Sequence, residues 1–154
     1  MIKVILKRGR EDSLLRFHPW VFSGAIAEIK GDPAEGDIVA VHSSDGGLLA
    51  YGHYQIGSIA VRVLSFDDAA LHPDFWEDMI ARALAVRVAC GLHVVPERSE
   101  GSPTNCYRLV HGEGDNLPGL IIDYYDGVCV MQAHSVGMFR AKKQISEALQ
   151  KVYG

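Results

Sequence analysis

Apolar and polar residues alternate in short runs over the first 65 positions, then settle into a three-to-four-residue rhythm. Residues 2–6 read as a short apolar strand, and Lys7-Arg8-Gly9-Arg10-Glu11-Asp12 as a charged turn. Ser13-Leu14-Leu15-Arg16-Phe17 supports one or two helical turns capped by Asp12 or Ser13. Pro19 ends them, because it biases His18 away from the α region. Residues 26–29 continue as extended chain, and 31–37 form a loop by composition. Residues 38–42 and 48–54 flank Ser43-Ser44-Asp45-Gly46-Gly47, a hairpin signal because tight hairpins need positive φ. Residues 59–64 add a strand with Arg62 and Leu64 on one face and Ile59, Val61 and Val63 on the other. Five or six short strands at regular spacing predict a small barrel.

Beyond residue 70 the period changes. Pro73 suits a first helical position, and Asp74, Glu77 and Asp78 complement the positive end of a helix. Trp76, Ile80, Ala83, Leu84, Arg87 and Val88 follow at helical spacing, and Gly91 fits just past the end. The pattern predicts a helix over 73–90 at a domain junction. A polar loop over 92–104 leads to a strand over 106–111. A hairpin follows, with strands 120–125 and 128–134 joined by Asp126-Gly127. Met138, Ala141, Ile145, Ala148, Leu149 and Val152 then mark one amphipathic helix. A hairpin is marginal alone, so the second half reads as part of a larger domain. The other reading is a complete small α+β domain that ends on its last helix.

Composition fits a folded protein, with 48% hydrophobic and 22% charged residues. No apolar run approaches the ~20 residues of a membrane helix. The N-terminal stretch carries charges and has no small-residue cleavage site, so it does not read as a signal peptide. Cys90, Cys106 and Cys129 are odd in number and widely spaced, which excludes a disulfide framework and a thiolate zinc site and fits a reducing, cytoplasmic setting. The net charge of −4 argues against a protein that coats nucleic acid with its whole surface. Its distribution is uneven. Residues 1–20 hold five basic and two acidic side chains, a balance of +3, so the rest of the chain carries −7.

Two groups of residues bear on chemistry. In His111-Gly112-Glu113-Gly114-Asp115-Asn116-Leu117-Pro118-Gly119, the glycines match neither a dinucleotide fingerprint nor a P-loop, since position 117 is leucine and no Gly-Lys-Ser/Thr follows. His111, Glu113 and Asp115 alternate, so a regular strand would align them for a divalent metal or proton transfer; the plainer alternative is a turn whose acids cap backbone N–H groups. Arg8, Arg10, Arg16, His18 and Trp20 form the second group. Arginines hold phosphates by forked bonds, and a histidine or tryptophan stacks on a base; the plainer reading places Trp20 and Phe22 in the barrel core. His42, His53, His72, His93 and His134 show no ligand spacing, and no serine sits in a nucleophile elbow.

Lys7-Arg8-Gly9-Arg10, followed by the run Leu14 to Ile26, resembles the start of the bacterial ribosomal RNA large-subunit methyltransferase I family, which are SAM-dependent cytosine-C5 enzymes. The segment from Tyr107 to Asp123 is similar to a second signature of that family. The resemblance implies an α+β chain, in which a PUA-like RNA-binding barrel over 1–68 precedes a connecting helix and loop over 69–104. Residues 105–154 would then form part of a central β-β-α-β-β domain. A Rossmann methyltransferase domain, with its S-adenosyl-L-methionine and nucleophilic cysteine, would lie outside this chain. None of the three cysteines takes a catalytic role, and the chain alone is expected to bind no cofactor or metal and to be inactive. The resemblance assigns RNA contacts to Lys7, Arg8, Arg10, Arg16 and His18. It places His111, Glu113, Asp115 and Asn116 in a loop facing the substrate cleft. The implied partner is structured RNA of the large ribosomal subunit, and the open edge of a partial sheet offers a homodimer by strand addition. A free-standing PUA-like module that binds proteins, and a metal-dependent enzyme built on His111, Glu113 and Asp115, are the competing readings.

Overall fold

Strand β1 (Lys3–Leu6) buries Val4 and Leu6 while Lys3 and Ile5 point away from the core, the two-residue alternation of a half-buried strand. It opens the computed structural model, which describes residues 1–91 and 105–153. The loop expected over 92–104, with His93, lies outside the described residues. Helix α1 (Asp12–Leu15) and strands β2 (Trp20–Phe22), β3 (Ile26–Lys30), β4 (Ile38–His42), β5 (Leu48–Tyr54) and β6 (Ile59–Ser65) follow. They form one sheet in the order β2-β6-β5-β4-β1-β3, antiparallel except where β1 meets β4. Strands β2 and β3 lie at opposite ends of that order, yet a single 3₁₀ turn at Ser23–Ala25 joins them. The sheet must therefore curl. Val4, Leu6, Leu14, Val21, Val39, Val41, Val61 and Val63 fill the inside of the curl. Each such burial is worth roughly 1.5–3 kcal/mol.

The second unit contains α2 (Phe75–Ala89), β7 (Cys106–His111), β8 (Leu120–Tyr125), β9 (Val128–Ala133), α3 (Val136–Arg140) and α4 (Lys142–Tyr153). Its antiparallel sheet runs β7-β8-β9. Asp126 and Gly127 both take positive φ, 44° and 93°, as a two-residue hairpin turn requires. Ile80, Leu109, Leu120, Ile122, Met138 and Ile145 are fully buried between sheet and helices. The Tyr107 and Tyr153 hydroxyls hydrogen-bond at 2.8 Å and fasten α4 to β7. On the free edge, β9 exposes Val128 and Val130.

Four local expectations change. The long helix starts at Phe75, so Pro73 lies outside it and Asp74 takes the cap position. Its buried face is Phe75, Met79, Ile80 and Ala83, while Val88 is half exposed. Glu11 holds the cap position of α1, with Asp12 and Ser13 inside the helix. The terminal helix breaks at Ala141 into α3 and α4, although Met138, Ala141, Ile145, Ala148 and Leu149 are buried as the spacing required. Phe22 is 48% exposed and Trp20 half-buried; Val21 between them is the core residue of β2.

Both faces of β6 are covered. Val61 and Val63 face the curl, whereas Leu64 joins the core of the second unit. On that outer face, Trp20 pairs with Arg62 and Arg62 with His53, a cross-strand row over β2, β6 and β5. The second unit docks along this row. Glu113 accepts hydrogen bonds from Trp20 Nε1 at 3.0 Å and Arg62 Nη1 at 3.1 Å. Trp76 stacks on His53, with ring centroids 6.3 Å apart. Gly137 lies so close to His53 that a Cβ there would sit 2.2 Å from the ring. Arg140 reaches across to Asp37 Oδ1 at 2.8 Å and the Glu35 carbonyl at 3.0 Å. Burial, with the Arg140 cation nearby, pushes His53 down to about 4 from its usual 6.5. His53 is thus neutral near pH 7.

Candidate nucleic-acid interface

The charged run after β1 forms a tight turn, closed by Arg10 N–H donating to the Lys7 carbonyl at 3.0 Å. Gly9 at φ +77° makes the turn possible. Lys7, Arg8, Arg10, Arg16 and His18 are all exposed. Lys7 Nζ donates to the Gly24 carbonyl at 2.9 Å, which carries the ammonium toward the end of β2. Among the described residues, no carboxylate pairs with Arg8, Arg10 or Arg16. Four other arginines are engaged. Arg62 holds Glu113, Arg87 holds Asp115, Arg108 holds Asp123 and Arg140 holds Asp37. An unpaired guanidinium keeps all five donors free for phosphate.

Helix α1 ends with Phe17 in the left-handed region, φ 61°. The Phe17 and His18 N–H groups bond back to the Leu14 and Ser13 carbonyls, each at 2.9 Å, which reverses the chain into β2. His18, Trp20 and Phe22 then share the outer face of the sheet, and their rings touch in sequence. Phe17 and Phe22 were not legible as surface aromatics from composition. The alternation of His18, Trp20 and Phe22 about Val21 is the signal that would have found Phe22.

The His111–Gly119 loop is a different kind of site. Strand β7 ends at His111, a 3₁₀ turn spans Gly112–Asp115, Asn116 is left-handed at φ 57°, and Leu117 is buried. Asp115 forms a bidentate pair with Arg87, the longer arm at 2.7 Å, and accepts His111 N–H at 2.6 Å. Glu113 turns the other way, onto Trp20 and Arg62. The acids are therefore committed to different partners and His111, Glu113 and Asp115 do not gather around a common point. Among the described residues, no group of three such side chains fits a metal ion. His111 and Asn116 remain exposed. Beside them, the Arg108 guanidinium holds the Asp123 carboxyl below the usual carboxylate range. Cys90, Cys106 and Cys129 form no disulfide with one another. Among the described residues, no helix is long and apolar enough to cross a membrane.

A PUA-like domain model matches residues 4–66. Ribosomal RNA large subunit methyltransferase I from Pseudoalteromonas translucida is 42% identical over 152 residues, covering 97% of this chain and 36% of the relative. The protein of the same name from Shewanella amazonensis is 44% identical over 138 residues, covering 88% of this chain and 33% of the relative. The chain thus spans about a third of the length of the curated relatives it matches. A solved structure described as a putative SAM-dependent methyltransferase from Streptococcus mutans superposes with a TM-score of 0.79 at 18% identity, covering 99% of this chain and 38% of that one. At that identity the likeness concerns the fold.

Proposed function

We propose that this chain, a homologue of the ribosomal RNA large subunit methyltransferase I proteins, is the RNA-recognition part of such an enzyme. In this reading the curled sheet over 1–68 is a PUA-type barrel that holds structured large-subunit ribosomal RNA. A longer protein then transfers a methyl group from S-adenosyl-L-methionine to carbon 5 of a cytosine. The observation that carries the reading is the set of exposed, carboxylate-free guanidiniums at Arg8, Arg10 and Arg16 on a chain whose net charge is negative. Lys7 and His18 complete the contact set. Contacts of this kind position RNA by backbone and shape more than by sequence.

In this reading S-adenosyl-L-methionine is held outside this chain. The glycine-rich loop 112–119 joins two strands rather than a strand to a helix N-terminus, unlike a cofactor-binding glycine loop. The proposed role of this chain is therefore binding and orientation. The 111–119 loop contributes through Glu113, which fixes the second unit against the sheet and so sets where His111 and Asn116 stand relative to bound RNA. Fluorescence anisotropy with a structured fragment of large-subunit ribosomal RNA tests the reading. Binding that weakens at least tenfold in Arg8→Glu plus Arg10→Glu is expected from the lost and reversed phosphate contacts. Unchanged binding would overturn it.

A further inference from the structure

Two aromatic residues of β2, Trp20 and Phe22, lie outside the contact set of the arginines, Lys7 and His18. His18, Trp20 and Phe22 alternate with buried Val21 and stand on the outer face of the sheet. They form one patch, with centroids 5.7 Å apart for His18–Trp20, 6.3 Å for Trp20–Phe22 and 6.2 Å for His18–Phe22. Trp20 is the fixed member. Its indole N–H is held by Glu113, and the Arg62 guanidinium lies 5.9 Å from its ring centroid. His18 and Phe22 extend from this base into solvent, tilted 37° to each other.

Along the chain, cations flank the patch on both sides. Lys7 bonds the Gly24 carbonyl, two residues beyond Phe22. Arg16 lies two residues before His18 and has no acidic partner among the described residues. The adjoining Phe17 reinforces the point. It occupies a left-handed position that glycine adopts freely and a bulky residue does not, yet the residue is 71% exposed, with its ring touching Phe66 edge-on. Exposed aromatics between unpaired cations suit a ligand with flat apolar faces strung between negative charges. Unpaired nucleotides have that chemistry.

We propose that His18 and Phe22 form a stacking platform for an unpaired RNA base, with Trp20 as the positioning residue beneath them and Lys7 and Arg16 taking the adjacent phosphates. The proposal rests on the RNA reading above and adds the state of the RNA it selects. A paired base has its faces covered by neighbours and cannot stack here. Every base has a π face, so the platform selects an unpaired nucleotide rather than a sequence.

The test uses the 154-residue chain and two RNA hairpins of equal phosphate count, one fully paired and one carrying a bulged 2-aminopurine. The wild-type chain is expected to bind the bulged RNA about tenfold more tightly and to quench its fluorescence. Phe22→Leu keeps apolar volume without a ring, and both preference and quench should fall with the thermal melt unchanged. His18→Ala should act in the same direction. Arg8→Glu plus Arg10→Glu should weaken both RNAs alike and keep the ratio. If the preference and quench survive Phe22→Leu while the arginine variant loses both RNAs, the platform is overturned and the RNA reading stands. If the wild-type chain binds neither RNA, the reading and the platform fall together.

Discussion

The described arginines of this chain divide by region, apart from Arg82 on α2, which is exposed and holds no carboxylate among the described residues. In the second unit and along the docking row, Arg62, Arg87, Arg108 and Arg140 each hold a carboxylate. Between β1 and β2, Arg8, Arg10 and Arg16 hold none. The residue type is the same and the physical role is opposite. A guanidinium paired with a desolvated carboxylate is part of the fold, because removing it strands a charge. One standing free in solvent adds almost nothing to stability and keeps its donors for a ligand. The difference teaches that the overall charge of −4 misleads in both directions. Acids dominate the count, but several are neutralised in place by the structural arginines, while three free guanidiniums cluster between β1 and β2.

The largest effect that could break this contrast is at Arg87. The Asp115 side chain is 5% exposed, and Arg87 is its ion-pair partner. Arg87→Ala should cost about 3–5 kcal/mol in denaturant unfolding, whereas Arg8→Ala should stay within about 0.5 kcal/mol. Similar costs for the two would erase the distinction.

The docking row offers the next largest effect. His53 titrates near its usual 6.5 when unfolded and at about 4 when folded, so between those values the unfolded chain binds the proton and the folded chain does not. Stability is therefore full above pH 6.5 and falls as the pH drops through the window, by about 3 kcal/mol once below 4. Melts between pH 7 and 5, where ordinary carboxylates stay ionised, read this slope. His53→Leu should flatten it, and a slope that persists in that variant would place the proton uptake elsewhere.

Legibility in the sequence followed locality. The β4–β5 and β8–β9 hairpins were readable because Gly46, Asp126 and Gly127 carry the turn chemistry themselves. The buried positions of α4 were readable because they repeat at helical spacing. The start of α2 was not, since Pro73 fits a first helical turn yet the chain here runs through a 3₁₀ turn at Asp68–Leu71 first. The row Trp20–Arg62–His53 joins residues 9 to 42 positions apart in sequence, and no local pattern announces it. For the same reason Glu113 read as a candidate metal or cleft residue, because its partners lie 93 and 51 positions away. Phe22 read as core because an edge strand's two faces look alike until it is known which one is covered. The exposed cations, by contrast, were visible from charge alone.

The salt dependence of RNA binding tests the division of labour most directly. With Arg8, Arg10 and Arg16 all changed to alanine, the slope of log K against log salt should become shallower by about 2–3, since each phosphate contact contributes roughly 0.7–0.9, and the unfolding midpoint should stay where it was. An unchanged slope would mean that these arginines are ordinary solvated surface and that the RNA-binding face, if this chain has one, lies elsewhere.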